Sequence, residues 1–207
     1  MPKLTIVIPN YNGEENLKRA IESCGTIRIT ENDYEILIVD NKSTDNSIKI
    51  ANEMKIKFTN IRIVQNEKNL GRIQNWNISI EKAGGEYLIF LFANDLINEK
   101  NNIHEVLQIL DSDKTISVCM SALLKKERNR QYIKKAYFDE TVKCSSKKFA
   151  INCLERGLLP FGPPQSIIFR LDDIKNNNNK FLEEFPINAD EIFSFEQACK
   201  RENIIFN

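Results

Sequence analysis

Four short polar clusters in this chain each follow directly on an apolar, β-branched run: Pro9–Asn12, Asp40–Asp45, Asn66–Arg72 and Asn94–Asp95. Their side chains suit chemistry on polar ligands. Carboxylates such as Asp40 and Asp95 accept hydrogen bonds or ligate hard cations, and the Arg72 guanidinium pairs with anions. In an open α/β sheet the ligand lies beyond the carboxyl ends of the strands, so four such clusters converge on one edge. Any single cluster reads as an ordinary polar turn; the candidate site rests on their recurrence. The turn after the first run, PNYNGE, is not the GxGxxG of a redox dinucleotide enzyme. Cys24, Cys119, Cys144, Cys153 and Cys199 form no CxxC pair and no cluster with His104, the sole histidine. That pattern suits reduced thiols in a cytosolic protein and argues against a His/Cys zinc site.

Elements that alternate between strand and helix must position these clusters. Lys3–Pro9, Tyr34–Val39, Ile61–Val64 and Glu86–Phe92 read as buried strands, and Glu15–Cys24, Ser47–Met54 and Arg72–Ala83 as helices. Thr44 or Asp45 is placed to cap the second helix. Strands alternating with helices of about ten residues imply right-handed βαβ crossovers and a mostly parallel sheet covered on both faces. The second half is less regular. It offers a helix over Asn102–Leu110, a strand over Ile116–Leu123 and a helix over Ser145–Arg156, capped by Ser145 or Ser146 and stopped at Gly157. A rigid turn over Pro160–Pro164, a strand over Ser166–Arg170, a loop over Asn176–Asn179 and a helix over Ala189–Arg201 follow, with a short apolar end at Ile204–Phe206. Lys125–Lys135, with six Lys or Arg against one Glu, reads as a solvated loop or helix face.

The 207 residues suit one domain, or one domain of two lobes. With 29 basic and 29 acidic side chains, the whole surface gives no electrostatic case for binding nucleic acid. The longest apolar run, Tyr87–Ala93, is far short of the roughly 20 residues of a transmembrane helix. The start of the chain lacks a charged segment followed by a long apolar one, so no signal peptide is expected.

Three ordered segments resemble the family 2 type of glycosyltransferase, with its GT-A fold. They are TIVIPNYN (Thr5–Asn12), EILIVDNKSTDNS (Glu35–Ser47) and NLGRIQNWNISIEKAGGEYLIFL (Asn69–Leu91). PFGPPQSIIFR (Pro160–Arg170) and the ADE of Ala189–Glu191 fit more loosely. The resemblance implies a Rossmann-like, mostly parallel sheet in a single domain of two lobes. Residues 1–97 would form the donor-binding half and 98–207 the acceptor-binding half with the catalytic base. It implies a nucleotide-diphospho-sugar donor and a saccharide or lipid-linked saccharide acceptor. The place would be the cytoplasm, with peripheral contact at the inner face of the membrane. Relatives commonly continue beyond the base helix, so the chain is either compact or a fragment of a longer one.

Site residues follow from the same resemblance. Pro9, Tyr11 and Asp40 would border the base, with Asp40 either accepting a bond from the base imino group or ribose or ending its strand and capping the following turn. Tyr11 is equally suited to plain packing. Asn69 and Gly71 would let the backbone approach a diphosphate, with Arg72 beside them. Asn75, Trp76 and Asn77 match the family segment, Trp76 as a core residue and either asparagine as a bracket between loop and sheet. Asp190, with Glu191 next to it, would be the base of an inverting displacement. The family's acidic run L-D-x-D-D is reduced here to Leu91-Phe92-Ala93-Asn94-Asp95. A Mg²⁺ or Mn²⁺ site would then rest on Asp95 and Asn94. The same reduction fits an alternative, a non-catalytic nucleotide-sugar-binding or partner subunit. A nucleotidyltransferase fails for want of a GxGTR-type loop after the first strand.

Overall fold

The computed structural model describes residues 1–121, 141–157 and 164–206 in full, and residues 123–127 and 130–134 by backbone alone. The first half alternates as its sequence dictates. Strand β1 (Leu4–Asn10) leads to helix α1 (Glu14–Cys24), β2 (Tyr34–Asp40) to α2 (Ser47–Lys57), and β3 (Ile61–Gln65) to α3 (Arg72–Lys82), before β4 (Tyr87–Phe90). Then come α4 (Ile103–Ser112), β5 (Ile116–Met120), β6 (Leu123–Glu127), β7 (Arg130–Lys134), β8 (Val142–Ser145), α5 (Ser146–Arg156), β9 (Ile167–Arg170), α6 (Leu171–Asn176), α7 (Ala189–Ala198) and β10 (Asn203–Phe206).

Eight of these strands form one mixed sheet in the order β3-β2-β1-β4-β9-β5-β10-β8. The β1–β2, β1–β4, β2–β3 and β5–β10 pairs are parallel, while β9 and β8 run against their neighbours. The architecture is thus the mostly parallel α/β sheet expected, and both halves of the chain contribute to it. Alternate side chains along each strand feed two cores. Ile36 and Ile38 of β2 pack with α1, α2 and α4, through residues such as Leu17, Ala51 and Leu107. Leu37 and Val39 face the other way, toward Trp76 of α3 and Phe193 of α7.

Several boundaries differ from the sequence reading. Of the span Glu86–Phe92 only Tyr87–Phe90 is strand, the stretch that pairs with β1. The strand expected over Ile116–Leu123 stops at Met120, and Leu123 opens a separate hairpin of β6 with β7. That hairpin takes in much of Lys125–Lys135, which charge alone had suggested was loop or helix. Cross-strand backbone hydrogen bonds decided otherwise, and charge does not encode them. Helix α7 ends three residues before Arg201, and α6, which was not anticipated, claims Asn176 from the expected loop. The turn over Pro160–Pro164 lies, up to residue 163, outside the described residues.

The Gly84–Gly85 pair shows why small residues precede β4. Both backbone N–H groups donate to Thr5 Oγ1 (3.2 and 2.8 Å), which itself donates to Glu35 Oε1 at 2.7 Å. A Cβ on Gly85 would sit 2.6 Å from Thr5 N and 2.8 Å from the Leu4 carbonyl carbon. Those atoms are backbone of the central strand and cannot yield cheaply. Gly85→Ala should therefore destabilise the fold by about 2 kcal/mol. A urea midpoint equal to wild type would show that β1 does not pass so closely.

Candidate active site

The carboxyl ends of β1, β2 and β3 stop in register. Asn10 pairs with Asp40, and Asp40 pairs with Gln65, across three neighbouring strands. Because side chains alternate, Asp40 turns to the α1/α2 face and Asn41 to the α3 face. Two separate polar networks result, one on each side of the sheet.

On the α1/α2 side, Asp40 is fully buried. Its Oδ1 accepts from Asn10 Nδ2 (2.9 Å) and from the Ser43 hydroxyl. Its Oδ2 accepts from the Ser43 N–H (2.9 Å) and Gln65 Nε2 (3.0 Å). Ser43 Oγ in turn accepts from the Asn12 N–H at 2.9 Å. Asp45 serves as the cap: Oδ1 takes the Ser47 N–H and Oδ2 the Glu14 N–H, each at 3.0 Å. Four protein donors thus reach the two oxygens of Asp40 and fix the turn around it. Its place at the end of a buried strand explains that: water is absent, so the loop must satisfy it.

On the α3 side, Asn41 Nδ2 donates to Asn69 Oδ1 (2.8 Å) and to the Gly71 carbonyl (3.2 Å). Asn41 Oδ1 accepts from Leu70 N–H (2.9 Å) and Asn66 Nδ2 (3.0 Å). Asn66 also donates to Asn75 Oδ1 at 2.9 Å, and Asn75 Nδ2 donates to the Val39 carbonyl at 3.1 Å. Asn75 is thus a bracket between helix and sheet, while Asn77 holds the Phe181 backbone through both its amide atoms (3.0 and 2.8 Å). Gly71, at φ +81° and ψ 169°, opens α3 in a conformation that glycine adopts without strain. Asn10, Asn41 and Asn66 belong to the polar clusters of the sequence, where none of them was given a role of its own. Their signal was there, an asparagine at the end of, or just after, each of the first three strands.

The remaining expected residues distribute around the same edge. Pro9 is half-buried within β1, and Tyr11 stands 50% exposed just beyond it. Arg72 is exposed; its guanidinium lies over the Trp76 ring at 5.0 Å and donates to the Pro186 carbonyl. Trp76 itself is core, stacked on Phe92 at 5.2 Å and edge-on to Phe181 at 5.0 Å. Phe181 then stacks on Phe193 of α7 at 4.1 Å, an aromatic hub that a loop residue gave no reason to expect.

Helix α7 runs opposite to β5. The Ser117 hydroxyl, near the start of β5, donates to the Ala198 carbonyl at the end of α7 (2.8 Å). The start of α7, with Asp190, accordingly lies toward the carboxyl ends of the parallel strands. Asn188 Nδ2 ties down Glu191 Oε2 at 3.1 Å, whereas Asp190 has no hydrogen-bond or ion-pair partner among the described residues.

Beyond β4, the Asn94 carbonyl oxygen accepts from Asn16 Nδ2 at 2.9 Å, and the Asp95 N–H donates to the Phe92 carbonyl at 2.8 Å. Burial pushes the Asp95 carboxyl above the ordinary carboxylate range, with no cation beside it among the described residues to offset the cost. Among the described residues no three acidic, histidine or cysteine side chains gather as a metal cage. The residues present still fit a cation of the kind held by one carboxylate, a carbonyl oxygen and substrate phosphates.

A family model described as Glycosyl transferase family 2 matches residues 5–176. Over 205 residues, 99% of its length, the chain is 24% identical to poly(ribitol-phosphate) beta-N-acetylglucosaminyltransferase TarS of Staphylococcus aureus, 34% of which is covered. It is 36% identical over 99 residues, 47% of the chain, to poly(ribitol-phosphate) beta-glucosyltransferase of Bacillus spizizenii, 16% of which is covered. The chain therefore matches 34% and 16% of the length of these two relatives. Among solved structures, S. aureus TarS 1–349 in complex with UDP matches with a TM-score of 0.82 at 22% identity, covering 99% of this chain and 57% of that one. Mannosyltransferase PcManGT from Pyrobaculum calidifontis, in complex with GDP-Man and Mn²⁺, matches at 0.69 and 14%, covering 100% and 56%. At such identities the structural likeness establishes the fold.

Proposed function

This chain belongs to glycosyl transferase family 2, and from that premise we propose that it moves a sugar from a nucleotide-diphospho-sugar to a hydroxyl acceptor with inversion. The setting is synthesis of a surface polysaccharide or glycoconjugate, at the cytoplasmic face of a membrane. Among the described residues no helix is long and apolar enough to cross that membrane. One observation carries the reading: two buried polar networks shape one sheet edge, and two carboxylates without a described partner, Asp95 and Asp190, lie toward it.

In this reading residues 1–97 hold the donor and residues 98–207 bring the acceptor and the base. Pro9 and Tyr11 border the base of the nucleotide. Asp40 serves the donor indirectly, by fixing the loop around Ser43. Asn69, Gly71 and Arg72 receive the diphosphate, the guanidinium having N–H groups beyond the one given to Pro186 that meet no acceptor among the described residues. Asp190 removes the proton from the acceptor hydroxyl, whose oxygen attacks the anomeric carbon as the bond to the diphosphate breaks. Attack opposite the leaving group inverts that carbon. Asp95 and Asn94 would hold a divalent cation. Such an ion, when bound, supplies positive charge to the departing diphosphate.

A purified sample warmed with UDP, GDP, dTDP or CDP, with and without Mn²⁺, tests the donor site. One nucleotide at a hundred times its Kd should add about 2.7 kcal/mol, or roughly 5–10 °C in Tm for a chain of this size. Mn²⁺ should enlarge the rise, and Asp95→Asn should remove that enlargement. No rise with any nucleotide would overturn the donor reading. Asp95 adds a second, independent sign. Its folded pKa lies above its unfolded value, so folding stability declines as pH rises through the interval between them. At pH 7 in EDTA, Asp95→Asn should therefore melt slightly above wild type; a lower Tm would mean that the carboxylate is not strained.

A further inference from the structure

Asn41 lies one residue beyond β2, and all four of its side-chain hydrogen bonds go to the segment joining β3 to α3. It is 3% exposed. Both amide hydrogens are used, on Asn69 Oδ1 and the Gly71 carbonyl, and the amide oxygen takes Leu70 N–H and Asn66 Nδ2. The Gly71 carbonyl also accepts from Asn75 N–H at 3.2 Å, and Asn69 Oδ1 from Gly71 N–H at 2.9 Å.

We propose that Asn41 is a positioning residue of the donor site, clamping the 66–71 loop so that Gly71 and Arg72 stand where a diphosphate is received. The proposal rests on the donor reading above and extends it to a residue that itself need not touch the donor. Chemistry selects the side chain. The clamp needs two donors and an acceptor on one short planar group, which asparagine has at this reach. A carboxylate would keep the two accepted bonds and turn both donated ones into contacts between oxygens. A serine is too short to span both sides. The clamped loop contains Gly71 at φ +81°, and it leads directly into the first turn of α3, where Arg72 is anchored over Trp76. Without the clamp, that left-handed residue is free to choose other conformations, and the start of α3 loses its fixed direction.

Asn41→Asp and Asn41→Ser test this against Asn60→Ala. Asn60 makes a comparable bond, Nδ2 to the Tyr34 carbonyl at 3.1 Å, but at the opposite end of β2. UDP affinity, measured by calorimetry with Mn²⁺ (GDP, dTDP or CDP if UDP does not bind), should fall about tenfold or more in both Asn41 variants, since two hydrogen bonds are lost. The donor KM should rise accordingly with kcat nearly unchanged. Exchange of the Leu70 amide hydrogen should quicken in Asn41→Ser, whose hydroxyl is too short to hold it, while β2 stays protected. Asn60→Ala should lower Tm and leave affinity and Leu70 exchange at wild-type values. Wild-type affinity in the Asn41 variants, or a loss of affinity in Asn41→Ser with unchanged Leu70 exchange, would overturn the clamp. Should Asn41→Asp fail to fold, Asn41→Ser carries the same readouts. Failure of the wild type to bind any nucleotide would refute the donor reading instead, and Leu70 exchange alone would then decide whether Asn41 holds the loop.

Discussion

Replacing Asp190 by asparagine should lower kcat about 10²–10⁴-fold, the usual contribution of a positioned general base, while nucleotide affinity stays at its wild-type value. The expectation follows from placement. Asp190 sits in the first turn of α7, and its carboxylate engages no described side chain, whereas the adjacent Glu191 is tied to Asn188. The helix is rigidly seated behind it, with Phe193 packed between Phe181 and Phe169 at 4.1 and 5.5 Å. A free carboxylate on a fixed helix start is what proton removal from an acceptor requires. Asparagine preserves shape and removes basicity, so Tm should not fall. Single-turnover transfer, measured beside calorimetry of donor binding, separates the two effects. Turnover near wild type would remove Asp190 from the base role. A wild-type chain that binds nucleotide yet transfers nothing to any acceptor would favour the non-catalytic alternative.

Asp40→Ala should behave in the opposite way, losing stability and donor binding together. Its carboxylate accepts from Asn10, from Ser43 twice and from Gln65, and it is sealed from solvent. Removing it leaves the buried amide of Asn10 with Ser43 Oγ as its remaining acceptor (3.2 Å) and frees the turn at Ser43. Loss of these bonds to a buried carboxylate should cost about 3 kcal/mol in all. Chemical denaturation should show that loss as a lower midpoint with the slope unchanged. Nucleotide affinity should fall further than in Asp190→Ala, because the Asn10–Ser43 loop borders the donor side. Equal, full-strength binding in both variants would place the donor elsewhere.

The two predictions share a physical theme, namely that burial decides what a carboxylate can do. Asp40, Asp95 and Asp190 look alike as letters. One is held by its own loop, one is left desolvated with no counter-charge among the described residues, and one has no described partner at a helix start. The clamp by Asn41 belongs to the same theme. Alternation along β2 sends consecutive polar residues to opposite faces, so Asp40 governs the β2–α2 turn and Asn41 the β3–α3 turn.

What the sequence determined by itself is the first half of the fold and the edge on which the site lies. Its strands are continuous β-branched runs, its helices carry apolar residues at helical spacing, and each strand stops at a polar cluster. Local chemistry suffices for β1, β2 and β3, which are neighbours in sequence and in the sheet, while β4 returns beside β1. Family motifs then fixed the kind of protein, and the capping role of Asp45 and the core role of Trp76 were legible beside them. The tertiary structure decided the rest. The hairpin of β6 with β7 exists through bonds between strands, and α6 is a six-residue helix too short to announce itself by periodicity. Phe181, in a loop, joins Trp76 to Phe193 across residues more than a hundred apart in number from α3. Above all, only the folded chain shows that Asp40 faces inward, because a residue's partners come from strands whose order no local pattern records.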